Sequence, residues 1–274
     1  MKHKQRLIPA FLVTILLIGS CGCNYETGAN SEKKNPQNTG GDIVLSERQT
    51  QILLEQGLPT EYDELGKTQQ AAIVAIEKLL NYLDEKYMID FSYLGYNPAG
   101  VLENEELAAY PTDGDKLLDV VKVTVNSKCE IEDNYMDIAT RSVYNSVVIG
   151  YIKQTYGEKE FFVHTSINTS RIDHLPIKAE DVSGNVGASC LVFFDTESTD
   201  ESKFEEFALS FKDWMKDNKY YGSHQLFLLE SGLVKYLSDY NYSDYFRAGK
   251  CIRRINCTIS NNGTADLQEL EVFE

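Results

Sequence analysis

Three histidines follow the first 20 residues of this chain: His164, His174 and His224. Imidazole is the commonest general base, and a thiol is the nucleophile that it would most readily activate. Cys190 is the candidate for such a pair with His164. However, it opens Cys190-Leu191-Val192-Phe193-Phe194, an apolar run that reads as buried core. Burial in apolar surroundings raises a thiol's pKa and leaves it unreactive. His164 and His224 sit on expected strands beside apolar residues and read as core-edge or surface histidines. The chain holds no HExxH pair, no GxSxG elbow and no phosphate loop. Asp195, Glu197, Asp200 and Glu201 gather oxygen ligands of the kind that calcium takes. Their spacing fits no EF-hand loop, and acids just ahead of a helix favour its dipole in any case. Asp113-Gly114-Asp115 reads as a turn. No catalytic residue, metal site or cofactor is assigned on these grounds. Tyr236, Tyr240, Tyr242 and Tyr245, followed by Phe246, form the densest aromatic run. Tyrosine supplies contact area at low entropic cost, so these four are the candidate binding face. The alternative is that alternate members pack the core.

The residue with the clearest chemistry is Cys21. Lys2, His3, Lys4 and Arg6 form a basic head, and Leu7 to Gly19 is apolar apart from Pro9 and Thr14. A helix of that length spans roughly 20 Å at ~1.5 Å per residue, short of the ~30 Å of a bilayer core. The pattern is that of a secretory signal. It ends in Ile18-Gly19-Ser20-Cys21, with an aliphatic residue, two small residues and a cysteine. This resembles the lipobox of bacterial lipoproteins. The resemblance implies a diacylglyceryl group on the Cys21 thiol, cleavage just before it, and an amino terminus open to acylation, as by palmitate. Cys23 is a rival acceptor with Ser20 in the aliphatic position. A second resemblance rests on Leu58-Pro59-Thr60-Glu61-Tyr62-Asp63-Glu64-Leu65 and Tyr93-Leu94-Gly95-Tyr96-Asn97-Pro98-Ala99-Gly100. These are similar to segments of uncharacterised lipoproteins of Gram-positive bacteria, which bring no activity with them.

Composition fits that address. The 274 residues carry a formal charge of −16. The leader contains Lys2, Lys4 and Arg6 and no acid, so its removal leaves 23 basic and 42 acidic residues, or −19. A nucleic-acid partner needs basic surface to displace counterions, and the balance argues against one. It favours solubility, with cationic partners as a second reading. Residues 24–42, NYETGANSEKKNPQNTGGD, have one aromatic and no aliphatic run. They cannot bury enough apolar surface to offset the entropy of ordering, and a flexible coil of that length reaches roughly 25 Å. The expected plan is therefore a signal peptide over 1–20, a polar tether over 21–42 and a globular body over 43–274. Cys129, Cys190, Cys251 and Cys257 lie in the body. Isolated buried thiols are the first reading of these four and one disulfide the second. Cys251 and Cys257 would stand about 20 Å apart on one strand, beyond disulfide reach.

The elements that must position these residues are legible from hydrophobic period. Ser46 and Gln49 make a capping box for a short helix, ended by Gly57-Leu58-Pro59. Ile73, Ile76, Leu80, Leu83 and Tyr87 form one apolar face of a helix from Thr68. Strands are expected at 89–94, 107–110 and 120–125. A second helix, capped by Asn134, carries Ala139, Val143, Val147 and Tyr151, with Tyr144, Val148 and Ile152 widening the face. Strands at 160–167 and 190–194 flank a long loop over 168–187. A third helix, capped by Thr199-Asp200, presents Phe204, Phe207, Phe211 and Met215. A strand at 225–229, a helical patch at 236–246, a strand at 251–259 and a last segment at 267–273 complete the chain. Helix starts near 68, 134 and 200 suggest three α-β-β units. The expectation is an α+β fold with helices packed on mainly antiparallel sheet. The function expected is that of a lipid-anchored protein on the outer face of the cell membrane, binding a peptide, glycan or protein partner. A surface hydrolase and a structural envelope component are the alternatives.

Overall fold

The computed structural model describes residues 43–100, 103–157, 159–246 and 249–272. Cys21, Cys23 and the tether lie outside the described residues. The fold is α+β, with two mainly antiparallel sheets. The chain divides into two compact units. The first takes in the chain to Glu77, Gly95–Leu107 and Thr124–Glu132. The second takes in Lys78–Leu94, Ala108–Val123 and Asp133–Glu274.

The first unit holds α1 (Glu47–Glu55) and the opening of α2 (Lys67–Tyr87). Ser46 caps α1 as its sequence requires: the Gln49 amide donates to Ser46 Oγ (3.0 Å) and the Ser46 amide to Gln49 Oε1 (2.9 Å). Ile52 and Leu53 turn inward. The Gln49 side chain reaches the Ile73 carbonyl at 3.2 Å, and Arg48 meets Glu77 at 3.0 Å. All five residues of the expected α2 face are buried, joined by Leu79.

A four-stranded sheet follows in the order β1 (Phe91–Asn97), β2 (Glu105–Pro111), β3 (Val121–Val125), β4 (Ile131–Asp133). Val121 and Val123 are buried, as alternation demands. The three-residue β4 was too short to leave a period in the sequence. Within the second unit, Asp133 ends β4 with its carboxylate withdrawn from solvent. It accepts from Lys86 Nζ (2.7 Å), Tyr87 Oη (2.6 Å), Tyr82 Oη (3.0 Å) and the Tyr135 amide (3.1 Å). Burial pushes its pKa up, but the Lys86 and Tyr87 hydrogen bonds prevail and hold it below the ordinary value.

The rest of the second unit is built on a five-stranded sheet. Its strands are β5 (Phe162–Ser170), β6 (Val186–Asp195), β7 (Gly222–Leu229), β8 (Cys251–Ile259) and β9 (Ala265–Leu270), in that spatial order. All neighbours are antiparallel except β6 and β7, which are parallel. The parallel pair is joined by α5 (Glu201–Asp217), which lies with α3 (Tyr135–Tyr156) on one face. The second and third expected α-β-β units therefore share this one sheet, while the first feeds a separate four-stranded sheet. Asp200 caps α5 by accepting the Lys203 amide at 2.9 Å, and Phe204, Phe207, Phe211 and Met215 are buried. On α3 the buried stripe is Tyr144, Val148 and Ile152, one position on from the expected centre. Val143, Val147 and Tyr151 are its half-buried rim, with Tyr151 stacked on Trp214 at 4.0 Å. Asn134 does not cap α3 with its side chain; its Oδ1 accepts the Lys122 amide at 2.7 Å instead. The expected loop over 168–187 contains a one-turn helix, α4 (Ala179–Val182), and β6 begins at Val186.

The other face of the sheet is covered in part by residues 230–246. Val234 and Tyr245 pack there against Phe193 and Phe227. The expected helical patch is instead two single 3-10 turns, Val234–Tyr236 and Tyr242–Tyr245. Side-chain competition for the backbone explains the difference. Asn241 Oδ1 accepts the Ser238 amide (2.8 Å), and its Nδ2 donates to the Tyr236 carbonyl (2.9 Å). Among the described residues no helix is long and apolar enough to cross a membrane.

Candidate functional site

Successive strand residues alternate between the two faces, and this alternation separates His164 from Cys190. Cys190 pairs across the strands with Thr165 and faces the helices, fully buried. Burial pushes its thiol up to about 12. His164 is on the other face, where Nδ1 lies 2.7 Å from Asp239 Oδ1 and the ring stacks on Tyr242 at 4.1 Å. The imidazole is clamped between an acid and an aromatic ring of the covering segment. Its role in this arrangement is to fasten residues 239–242 to β5.

The other histidines are equally engaged. His224 is fully buried between the helices and the sheet. Its Nε2–H donates to the Tyr220 carbonyl at 3.2 Å, and Nδ1 has no hydrogen-bond partner among the described residues. Desolvation brings its pKa down to about 4, so it is neutral in the fold. His174 is exposed and lies 3.4 Å from Asp181 and 3.5 Å from Asp173.

Two of the acids near the start of α5, Asp195 and Asp200, are structural. Asp195 is 1% exposed. Its Oδ1 accepts the Glu197 and Ser198 amides, and Oδ2 accepts the Val234 amide at 3.2 Å. It ties the end of β6 to the covering segment. Among the described residues no group of three or more His, Cys, Asp or Glu side chains could hold a metal ion.

The four candidate tyrosines part company. Tyr245 is buried, with Lys250 Nζ 4.3 Å from its ring centre. Tyr242 lies over His164 and beside Phe193 and Phe246. Tyr240 is exposed, and its hydroxyl donates to Asp115 Oδ2 at 2.6 Å. Tyr236 is exposed, with Lys235 Nζ 5.3 Å from its ring centre. Tyr242 and Tyr245 are thus taken into the packing over the sheet, and Tyr236 and Tyr240 stay exposed. Cys190, Cys251 and Cys257 are free and buried. Cys251 and Cys257 face opposite sides of the sheet on β8.

A groove of about 410 Å³ lies between the end of α3 and α5. Its two lysines are already engaged: Lys159 sits 4.8 Å from the Tyr156 ring centre and Lys203 pairs with Asp200 at 3.0 Å.

What the sequence alone did not expose is the uncovered part of the sheet face. Residues paired directly across strands point to the same side, so the register sorts this face into rows. The first row, Phe162, Phe193, Phe227 and Arg254, lies by the covering segment, with Phe193 and Phe227 stacked at 4.6 Å. The second runs His164, Leu191, Gln225, Asn256, Gln268. The third runs Ser166, Ser189, Ser223, Thr258, Asp266. Ser189 and Ser223 fall between the Gly187–Tyr221 bridge and the Leu191–Gln225 pair, at the same offset. Ser166, Ser223, Asp266 and Gln268 are exposed, and Ser189, Gln225, Asn256 and Thr258 half-buried. Ser223 Oγ donates to Asn256 Oδ1 (2.8 Å), Asn256 Nδ2 to Thr258 Oγ1 (2.9 Å) and Asn168 Nδ2 to Ser189 Oγ (3.1 Å). Arg254 donates to Gln225 Oε1 through Nε (3.2 Å) and Nη2 (2.9 Å). The side chains hold one another in place, yet a hydroxyl that accepts one bond still has a proton to give. The only sequence signal was Ser, Thr, Asn or Gln at every second position of several strands, and the rows exist only once the strands are paired.

No family model and no curated protein matches this chain. Among solved structures, a DUF5037 family protein from Ruminococcus gnavus is similar at 14% identity with a TM-score of 0.38, over 70% of this chain and 94% of that one.

Proposed function

We propose that this chain is an extracytoplasmic lipoprotein. Lipid on Cys21 holds it at the outer face of the cell membrane, and its body binds a ligand. The leader, the Ile18-Gly19-Ser20-Cys21 sequence and the polar residues 24–42 support the address. Two acyl chains suffice for stable anchoring, since each buried CH₂ contributes about 0.8 kcal/mol. The observation that carries the binding role is the uncovered sheet face, an ordered set of neutral polar side chains with hydrogen-bonding capacity to spare. A hydrolase reading would build on His164 and Asp239, but Tyr242 occupies the ring face of that imidazole.

The address is tested on protein recovered from membranes. Mass spectrometry of the mature amino terminus is expected to find Cys21 carrying a diacylglyceryl group, and Cys21→Ala is expected to appear in the soluble fraction. An unmodified Cys21, or cleavage elsewhere, overturns the proposal.

A further inference from the structure

We propose that the two polar rows of the five-stranded sheet bind a neutral, hydroxyl-rich glycan chain. This deepens the binding reading above and rests on it.

The rows and a glycan match chemically. From Ser166 to Thr258 and from Gln225 to Gln268 the rows present hydroxyls and amides, groups that both give and take hydrogen bonds. Sugar hydroxyls have the same dual capacity. Neighbouring strands stand ~4.8 Å apart, and rows two residues apart are separated by about 6.5 Å. The polar grid therefore runs across successive strands at a spacing suited to an extended chain of rings. Its residues are pre-positioned by the Ser223–Asn256–Thr258 and Asn168–Ser189 bonds, which lowers the cost of ordering them on binding. Tyr242 over His164 supplies an aromatic border beside the polar rows.

Charge excludes the other partners. In a chain of net charge −16, these rows hold one acid, Asp266, at their outer end on the edge strand β9. Arg254, in the row beside them, already donates to Gln225 through Nε and Nη2, so an anionic ligand laid across the rows would shed water for little counter-charge. A peptide or protein partner is anchored by large apolar or aromatic groups in pockets, and the only large aliphatic side chain in the rows is Leu191. A strand added by a peptide would use a sheet edge and not its face.

The test is affinity electrophoresis of the full chain, extracted from membranes in a zwitterionic detergent. Native gels contain a neutral β-glucan, a mannan, starch, anionic polygalacturonate or no polymer. The expected result is retardation by at least one neutral polymer. Ser223→Glu and Thr258→Glu are expected to weaken it by about tenfold or more, because each removes a hydroxyl and puts a charge where the bound chain would strip its water. Leu209→Ala, exposed on α5 on the opposite side of the sheet, is expected to leave it unchanged. Thermal melting shows which variants fold; if the Glu variants do not, Ser223→Ala and Asn256→Ala take their place. Retardation by polygalacturonate alone, by no neutral polymer, or to the same extent in every folded row variant overturns the inference. The mass of the amino terminus is read separately, so the anchor and the glycan can each fail without the other.

Discussion

His224 shows how a single side chain makes the fold respond to pH. Its pKa is about 4 in the fold against an ordinary 6.5, because the helices and sheet exclude water from the ring. Above pH 6.5 both folded and unfolded chains carry it neutral. As the pH falls, the unfolded chain takes up the proton first, so stability is lost between pH 6.5 and 4 and no further below. The loss from this residue amounts to roughly 3 kcal/mol. Urea unfolding at a series of pH values is expected to show this loss in the wild type. His224→Phe is expected to show an acid decline smaller by about that amount. Equal declines in the two proteins would mean that the ring can reach solvent as an imidazolium. At this scale the sequence was informative where neighbours decide the outcome. The apolar run after Cys190 foretold an unreactive thiol. It was uninformative where a distant residue decides: nothing near His164 pointed to Asp239 or to Tyr242. The same holds for Tyr245, whose burial depends on Phe193 and Phe227 being beneath it.

At the scale of elements, caps and period carried most of the information, because both are local. Ser46, Asp200 and the 3.6-residue faces of α2 and α5 stand where the sequence placed them. The failures are of two kinds. At 236–246 a plausible helical run lost to Asn241, whose side chain claims backbone groups that a helix would need. The pairing of β6 with β7 left no local trace because the two strands meet only after α5 has intervened. One residue nevertheless marks that seam. A Cβ built on Gly222 would lie 1.8 Å from the Ala188 carbonyl oxygen, and its φ of +136° is one that other residues rarely adopt. Gly222→Ala is expected to destabilise the protein by about 4 kcal/mol or more, through strain and displacement of backbone. Gly150, exposed on α3 with nothing within 4 Å of its Cβ position, provides the contrast. Gly150→Ala is expected to stabilise by about 0.5–1 kcal/mol. Chemical denaturation measures both, and a mild effect at Gly222 would show that the seam has room to move.

At the scale of the whole molecule, net charge governs how stability responds to salt. A formal −16 on 274 residues makes the folded chain repel itself. Raising the ionic strength from ~0.01 to ~0.15 M shortens the screening length from about 30 to 8 Å. The thermal midpoint of the purified protein is therefore expected to rise with added sodium chloride. A falling midpoint would mean that ion pairs such as Arg253 with Glu269 (2.8 Å) outweigh the repulsion. The α+β class was readable from the chain because alternating helical and strand periods leave few other packings. The division into two compact units was not, since α2 and all four strands of the four-stranded sheet each contribute residues to both.

The parallel seam also sets a hazard during synthesis. β6 is among the most apolar stretches of the body, with Val192, Phe193 and Phe194 fully buried in the finished protein. When the chain has emerged only as far as Asp195, β5 can already pair with one side of β6, but the side that belongs to β7 has nothing to bind. It remains an open, hydrophobic strand edge until α5 and β7 follow, a delay of a few seconds at roughly 5–20 residues per second. Such an edge is a template for pairing with another nascent chain. The order of elements thus makes α5 a timer as well as a connector: each residue added to it would prolong the interval in which the half-built sheet can recruit the wrong partner.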